Sequence, residues 1–289
     1  MAELTRELLI NKYWQEGKSL AQIAKQFSLP SASSILKVMR NFDIPRRTLL
    51  EAAALNPPPN LKRPNLQTSK ELAYIIGVHL GDGCVNIRFD KFQYQWRVKG
   101  EREFVDNIAR VLQLIGLNSW INRENDCFRI STASRIFVQW LTKLSLQNIE
   151  TLLVSDNLKL SFIEGFYDAE GYLGIVHRQN RTFPHIWVKI GNTNLPLLEM
   201  CQRLLTDLGI YSRVYLSNRV KPPRQTYYQL TVPSYYWTQN FLSKVESCIP
   251  HKGLIMLNDK LASYPAPRIR PKKRTLREAY GGSNVRTKT

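Results

Sequence analysis

The sequence is poor in cysteine and contains no long apolar run. Its four cysteines, Cys84, Cys127, Cys201 and Cys248, are widely scattered and form no C-x-x-C pair. This spacing disfavours a zinc ribbon and favours a reduced intracellular setting. No run approaches the ~20 apolar residues that a membrane-spanning helix needs, and the N-terminus lacks the basic and apolar segments of a secretory signal. We therefore expect no membrane partner and an intracellular location: cytoplasm, nucleoid, or an organelle matrix if the host is eukaryotic.

Acidic residues are also scarce. The 289 residues include 41 lysines and arginines but only 23 aspartates and glutamates, a formal charge of +18. Such a surplus on an intracellular chain points first to a polyanion, most often nucleic acid. Residues 262–289 hold eight basic residues and one acidic residue and lack any apolar period. We interpret this tail either as a basic arm that lies on phosphates or as a solvated segment that maintains solubility.

Length and composition predict about two folded domains, since 43% of the residues are hydrophobic and 10% are aromatic. A stiff, polar and proline-rich stretch separates them. We predict a small all-α domain in residues 1–50, a linker in 51–69, two halves of a larger domain in 70–160 and 161–261, and the basic tail in 262–289.

The first 50 residues predict three short helices. An apolar stripe ends at Gly17, Ser19 is a suitable N-cap for a second helix, and Ser31 or Ser33 begins a third. The arrangement resembles the helix-turn-helix of DNA-binding proteins, in which the third helix enters the major groove. The alternative is a plain three-helix packing unit. The candidate contacts to DNA are Ser33, Ser34, Lys37, Arg40, Arg46 and Arg47.

The larger domain carries an internal duplication. Four segments of the first half recur in the same order in the second, beginning with Ile76–Gly83 against Glu164–Gly171. The offset between matched segments only grows along the chain, as expected when the second copy has longer loops. Each copy predicts a helix, two strands, a helix, two strands and a helix. We therefore predict an α+β fold with two αββαββα halves related by a pseudo-twofold axis.

The predicted strands alternate apolar and polar residues. The apolar side includes Phe89 in the first half and Leu216 in the second, and the polar side is rich in groups that can contact DNA. For any single strand, the alternative is an ordinary amphipathic sheet that faces solvent. The candidate DNA contacts on or beside the sheets are Asn86, Arg88, Arg97, Arg129, His177, Arg178, Arg213, Tyr215 and Arg224.

Small residues lie four positions apart in each duplicated helix. Gly77 and Gly81 form one bare stripe, and Gly165 and Ala169 form the other. Two such stripes allow two helix backbones to approach closely. We expect Gly77 and Gly165 at a helix–helix interface.

That approach would put Asp82 and Glu170 side by side at the C-terminal ends of the two helices. A helix C-terminus carries partial negative charge and the two acids repel each other, so divalent cations are expected to offset the charge. Oxygen ligands suit Mg²⁺, and Mn²⁺ or Ca²⁺ could occupy the same site. The pattern favours metal-dependent phosphodiester hydrolysis. The alternative is that each acid merely caps a turn before the following glycine.

The two helices, Ile75–Gly83 and Ile163–Gly171, resemble the signature helices of LAGLIDADG homing endonucleases, a likeness that covers roughly residues 70–261. The resemblance implies a monomer whose sheets saddle double-stranded DNA in the major groove. It implies metal-dependent cutting of both strands across the minor groove, with short 3′ overhangs. The implied metal ligands are Asp82 and Glu170, next to Gly81 and Ala169 in the expected metal site.

The resemblance also implies a water-ordering residue near the end of the second strand of each half. Lys99 has that place in the first half. In the second half Lys189 lies slightly upstream and Asn192 lies nearer the matching place, with Lys252 as a further possibility. The alternative for each lysine is a phosphate contact. Asp168 is a weaker ligand candidate with a structural role, and His79 is expected to be a packed helix residue.

Three functions remain open. The first is a site-specific, intron-encoded homing endonuclease that cuts double-stranded DNA. The second is a maturase that binds intron RNA and assists splicing on the same fold. The third is a DNA-binding regulator with an inactive core, although the presence of both acids argues against it.

Overall fold

The computed structural model describes residues 4–48, 51, 64–91, 93–177, 182–218, 226–262 and 264. The chain divides into two compact units, Met1–Lys62 and Arg63–Thr289. Most of the predicted linker and nearly all of the basic tail lie outside the described residues, as do Arg178 and Arg224. In the part of the chain that is described, no helix has the length and apolar character that crossing a membrane would require.

The described residues of the N-terminal unit form three helices around a small apolar core. Helix α1 (Arg6–Ile10) continues as a π-helical segment (Asn11–Gln15), followed by α2 (Leu20–Gln26) and α3 (Ala32–Asn41). Ser19 begins α2 through a capping box: its Oγ accepts from the backbone N of Gln22 (3.2 Å), and its own backbone N donates to Gln22 Oε1 (2.8 Å). The buried side chains are Leu9, Tyr13, Ile23, Ala24, Ile35, Met39 and Ile44.

The larger unit repeats one order of elements twice, as the fold prediction requires. The first copy contains α4 (Lys70–Gly81), β1 (Cys84–Arg88), β2 (Gln93–Gly100), α5 (Arg102–Leu114), β3 (Ser119–Glu124), β4 (Cys127–Ala133) and α6 (Arg135–Leu141), followed by α7 (Leu146–Leu152). The second contains α8 (Asp156–Glu170), β5 (Gly171–Val176), β6 (His185–Asn192), α9 (Leu195–Asp207), β7 (Arg213–Asn218), β8 (Tyr227–Pro233) and α10 (Ser234–Leu242), followed by α11 (Leu254–Leu261). The predicted α+β duplication is confirmed.

The duplication extends to the ends of the helices. Ser69 and Ser155 are the N-caps of α4 and α8, where each hydroxyl accepts from a first-turn backbone N–H. Gly116 and Gly209 follow helices α5 and α9. Both have a positive φ, the left-handed conformation that ends many helices and that glycine adopts most easily. The same sequence signals therefore start and stop the same elements in both copies.

Each copy forms one antiparallel four-stranded sheet. The strand orders are β1-β2-β4-β3 and β5-β6-β8-β7. Along β2 the side chains of Tyr94, Trp96 and Val98 are buried against the helices, and the residues between them face the other side. The alternation predicted from the sequence therefore separates a core face from an outer polar face in both sheets.

Two residues assigned to the apolar strand faces are exceptions. Strand β1 ends at Arg88, and Phe89 begins a 3₁₀ turn that leaves its ring 72% exposed. The side chain of Leu216 is 43% exposed because the pairing of β7 with β8 shifts between Leu216 and Asn218. Both predictions were wrong because a turn and a register shift interrupt the two-residue period of the strand.

Helices α4 and α8 pack backbone against backbone. A Cβ atom built on Gly77 would lie 2.7 Å from the backbone N of Phe166, and one on Gly165 would collide with the carbonyl of Tyr74. Neither obstacle is a flexible side chain, so no rotamer change could relieve the overlap. The bare stripes seen in the sequence lie at this interface.

Replacing Gly165 by Ala is expected to destabilise the larger unit by about 3 kcal/mol or more, at the upper end of overpacking costs, because two backbones must separate. Gly253→Ala is the matched control, since its added methyl group would meet nothing closer than 3.6 Å and its φ is −90°. Because Gly253 is the N-cap of α11, where Gly is preferred to Ala, this change should cost only about 1 kcal/mol. The measurement is denaturant unfolding of both variants. Equal stabilities would contradict the close packing.

Candidate metal centre and nucleic-acid interface

The two duplicated acids lie where α4 and α8 end and the first strand of each sheet begins. Asp82 directly follows α4, and Glu170 is the last residue of α8. Between them the helices abut: a Cβ built on Gly81 would lie 2.5 Å from Ala169 Cβ and 3.0 Å from Glu170 Cγ. The structure therefore brings together the four residues of the expected metal site.

The electrostatics of this pair are unfavourable for two carboxylates. Burial raises the pKa of Asp82. Burial, and then repulsion by Asp82, raises the pKa of Glu170 to about 7, while a hydrogen bond from Asn192 Nδ2 to Glu170 Oε1 (3.2 Å) opposes the shift. A positive charge between the acids would relieve this repulsion.

The donor set fits a divalent cation that keeps part of its hydration shell. No group of three or more His, Cys, Asp or Glu side chains within the described ranges could hold a metal. The protein would supply the Asp82 and Glu170 carboxylates, and water and phosphate oxygens would complete the coordination, as Mg²⁺ prefers.

Lys252 lies beneath the end of α8 rather than on the outer face of the sheet. Its side chain is buried, and its Nζ donates to the carbonyls of Asp168 (2.7 Å) and Tyr167 (3.5 Å). Burial lowers the pKa of this lysine. Its ammonium group caps the C-terminal end of α8. Its positive charge also opposes the rise in the pKa of both Asp82 and Glu170, so Lys252 lies near the two acids and stays a candidate for ordering water.

Asp168 is a structural anchor, which agrees with the structural role expected from the sequence. Its buried carboxylate accepts hydrogen bonds from Tyr74 Oη in α4 (2.8 Å), Ser247 Oγ (2.5 Å) and Cys248 Sγ (3.0 Å). It therefore ties the segment after α10 to both central helices. No local pattern signals Ser247 or Cys248, because the contact spans about 80 residues of chain.

His79 is packed inside the first half. Its Nδ1 accepts from Trp96 Nε1 (3.2 Å), and burial lowers the pKa of its ring. A side chain at Gly83 would collide with it. His79 is therefore a packed helix residue, as expected from the sequence, and it also supports the turn after α4.

The strand register places Lys189 two residues upstream of the position that matches Lys99, in line with the sequence. Lys99 is opposite Arg129 in β4, and the equivalent pair in the second half is Gly191 opposite Gln229 in β8. Lys189 lies opposite Thr231, as Arg97 lies opposite Ser131. The counterpart of Lys189 is therefore Arg97, and Lys99 has no basic counterpart at its own position.

Most of the expected DNA contacts lie on accessible surface. The outer sheet faces carry Asn86, Arg88, Arg97, Arg129, Arg213 and Tyr215, and His177 follows β5 at an exposed position. In the N-terminal unit, Ser33, Lys37 and Arg40 are exposed along one side of α3, and Arg46 is exposed after it.

Arg47 does not fit the expected role. Its side chain is 9% exposed and its guanidinium lies 3.9 Å above the ring of Tyr13. Its Nη1 and Nη2 donate to the carbonyls of Gly17 (3.2 Å) and Lys18 (3.1 Å). Arg47 therefore closes the core of the three-helix unit and is not available to a phosphate.

Comparisons with known proteins give a family match and several relatives. A family model described as a LAGLIDADG-like domain matches residues 157–245. Two relatives come from Methanocaldococcus jannaschii. Uncharacterized protein MJ0314 is 30% identical over 196 residues, which are 65% of this chain and 72% of that protein. Uncharacterized protein MJ0398 is 27% identical over 267 residues, 86% and 93% of the two chains.

One similar solved structure is that of I-DmoI in complex with DNA and Ca. It has 22% sequence identity and a TM-score of 0.48, and the match covers 62% of this chain and 90% of that chain.

Glu170→Gln is expected to stabilise the metal-free protein above pH 7 and to have less effect near pH 5. Because the pKa of Glu170 rises from 4.5 to about 7 on folding, the folded state binds its proton more tightly. That contribution to stability is complete below about pH 4.5 and is lost as the pH rises to about 7. Thermal unfolding in EDTA from pH 5 to 8 measures the difference between variant and wild type.

The matched control is Glu103→Gln, which changes an exposed glutamate in α5. Added Mg²⁺ should raise the melting temperature of the wild type at pH 8 and not that of Glu170→Gln, since a ligand stabilises the state that binds it. A pH-independent difference between wild type and Glu170→Gln would contradict the described electrostatics.

Proposed function

The chain belongs to the LAGLIDADG family, and we propose that it is a site-specific, intron-encoded endonuclease that cuts double-stranded DNA with a divalent metal, most suitably Mg²⁺. The observation that carries this proposal is the pairing of Asp82 and Glu170 at abutting helix ends. Both carboxylates have a raised pKa and lie where two sheets with basic outer faces begin. Both acids lie in one chain, so a monomer would suffice for cutting both strands.

The proposed reaction is hydrolysis of one phosphodiester in each strand across the minor groove. A water oxygen forms a bond to phosphorus, the P–O3′ bond breaks, and the leaving O3′ takes the electron pair and a proton. The products are a 5′-phosphate and a 3′-hydroxyl, on short 3′ overhangs. A bound divalent cation supplies Lewis-acid stabilisation of charge on the phosphate and lowers the pKa of bound water.

The residues of the chain have separate roles in this proposal. Asp82 and Glu170 hold the cation, and Asn192 orients the Glu170 carboxylate through its hydrogen bond. Lys99 lies close enough to Asp82 to share one cavity with it, so it is the better placed of the two predicted lysines to order water or contact a phosphate. The outer faces of the sheets contact DNA, since phosphate contacts position a protein and base contacts give it specificity.

Asp82→Asn and Glu170→Gln should each slow DNA cutting more than about a hundredfold, since the metal contributes several kcal/mol to stabilising the transition state. Binding to the same DNA should remain close to that of the wild type. The substrate is a plasmid with the sequences that flank the protein's own gene, joined without the insert, incubated in Mg²⁺. Cleavage and binding are measured by gel electrophoresis.

Glu103→Gln is again the control and should cut normally. Binding without cutting in Mg²⁺, Mn²⁺ and other divalent metals would exclude the endonuclease and favour a DNA-binding regulator. Normal cutting by both acid variants would show that the site has been misassigned.

We also propose that the N-terminal unit contributes to DNA binding through α3. Replacing Lys37 and Arg40 by Gln should weaken binding and reduce the slope of log affinity against log salt by about one per lost phosphate contact. Cutting at saturating protein should be unaffected, because the acids are untouched. The control is Lys12→Gln. Lys12 lies in the π-helical segment and not in α3, and its ammonium pairs with Glu16 (2.6 Å). An unchanged affinity and salt slope would make the unit a plain packing domain.

A further inference from the structure

We infer that the two sheets select different base pairs in the major groove. Strands β5 and β6 select T·A pairs by apolar contact with the C5-methyl group of thymine, whereas β1 and β2 select guanine by hydrogen bonds. This inference rests on the proposed DNA-cutting function and describes the sequence of its substrate. It follows from four outward-facing positions that are polar in the first half and apolar or aromatic in the second.

The first half carries hydrogen-bonding side chains at all four positions. Since Trp96 of β2 is buried against the core, Gln93 and Gln95 at the alternate positions face outwards. The β1 residues that pair with them, Arg88 and Asn86, share that face. Two antiparallel strands of this kind fit the major groove, where the base pairs differ in their donors and acceptors.

Gln95 and its neighbour Arg97 form a group of hydrogen-bond donors. The Nε and Nη2 atoms of Arg97 both donate to Gln95 Oε1, at 3.2 and 2.5 Å. Because this contact uses the acceptor of the amide, the side-chain polar atoms that remain are N–H donors. Guanine presents two acceptors in the major groove, N7 and O6, so a group of donors on the outer face suits guanine.

The second half has lost these hydrogen-bonding groups. Strand register matches Gln95 with Trp187, Asn86 with Gly174, and Arg88 with Val176. At the fourth position His185 replaces Gln93, and its ring centroid lies 4.7 Å from that of Trp187. The same places on the two sheets therefore present different chemistry to a base pair.

The indole ring of Trp187 lies across Gly174. A Cβ built on Gly174 would lie 2.5 Å from Nε1 and 2.6 Å from Cζ2 of the ring. The Nε1 atom is buried and has no hydrogen-bond partner among the described residues, so the accessible part of the ring is carbon. Pro233 of β8 pairs with Trp187 on the other side, and Val176 is 45% exposed in the next row. We call these four residues the apolar floor.

The apolar floor distinguishes thymine from the other bases. Carbon atoms cannot pair with the donors and acceptors of a base edge, and covering those groups without a partner costs free energy. The C5-methyl group of thymine is the apolar group that an unmodified base presents in the major groove. A thymine against the floor therefore gains apolar contact, whereas a guanine or cytosine loses hydrogen bonds to water.

The cations of the second half lie outside the apolar floor. Lys189 is one row nearer to Glu170, and its Nζ lies 5.3 Å from the centroid of the Trp187 ring. Arg213 lies on β7, at the opposite edge of the sheet from β5. Lys252 is buried beneath α8, where its charge acts on both acids. Positive charges of this kind attract phosphates in any sequence, so they leave the base preference of the floor unchanged.

The first test is selection from a library. Duplexes that carry the sequences flanking the protein's own gene, joined without the insert and randomised in one flank at a time, are bound by the full chain in EDTA. The bound fraction is then sequenced. T·A pairs should be enriched in one flank and guanine in the other. Equal base preferences in the two flanks would overturn the inference.

The second test removes single groups from the bases of the same duplex. Uracil in place of thymine deletes only the C5-methyl group, and 7-deazaguanine in place of guanine deletes the N7 acceptor. Uracil in the thymine-rich flank should weaken binding about fourfold for each methyl group that is contacted. In the other flank it should change binding less than about twofold, and 7-deazaguanine should weaken binding there about fivefold or more. Gel shift in EDTA measures both effects.

A double variant assigns the thymine preference to the apolar floor. Trp187→Gln combined with Gly174→Asn reproduces the first-half residues and should abolish the effect of uracil, whereas Trp187→Phe should keep most of it. Tyr236→Gln is the matched control, since Tyr236 is an exposed aromatic residue of α10, and it should keep the full effect. Each comparison is between two duplexes bound by the same protein, so reduced folding of a variant cannot imitate the result.

The outcomes separate this inference from the proposed function. Equal effects of uracil in both flanks, no effect in either, or an unchanged effect in the double variant would overturn the inference and leave the endonuclease intact. Absence of cutting in any metal, with the thymine preference retained, would overturn the proposed function and leave base selection by the floor in place.

Discussion

The backbones of α4 and α8 touch, and the arrangement of the larger unit depends on that contact. A side chain at Gly77 or Gly165 would have to occupy space already taken by backbone atoms of the other helix. Because the helices lie this close, their C-terminal ends meet, and the acids that follow from the duplication are forced together. Each sheet starts immediately beyond its acid, so the same contact also sets the two outer faces on either side of the carboxylate pair.

This constraint has an electrostatic cost, which the chain offsets unevenly. Two helix C-termini and two carboxylates concentrate negative charge in one place, and the pKa of each acid is raised. The second half adds a buried lysine, Lys252, that caps α8, and an anchor, Asp168, that holds the C-terminal segment in place. Leu80 occupies the matching motif position in the first half. The repeat is therefore symmetric in its backbone and asymmetric in the charges around its acids.

Much of the fold could be predicted from the sequence because the determinants are local and occur twice. Serine N-caps, glycines after helices, the two-residue period of strands and the paired motif all act over a few residues. Predictions failed where a distant contact decided the outcome. Arg47 looked like a DNA contact because it is basic, yet it is buried against Tyr13. The exact offset of Lys189 also needed the structure, because pairing with Thr231 aligns it with Arg97 rather than with Lys99.

The sequence by itself determined the duplicated α+β fold, the closeness of two helices and the identity of the two acids. Each follows from residue size, period or spacing along the chain. Only the tertiary structure decided which cations surround each acid, because strand register and long-range hydrogen bonds bring together residues that are far apart in sequence. Lys99, Arg129 and Glu124 meet at one acid in this way, and Tyr227 closes the space beside the other. Side chains that local patterns treat as equivalent copies, such as Gln95 and Trp187, therefore differ in polarity where DNA would lie.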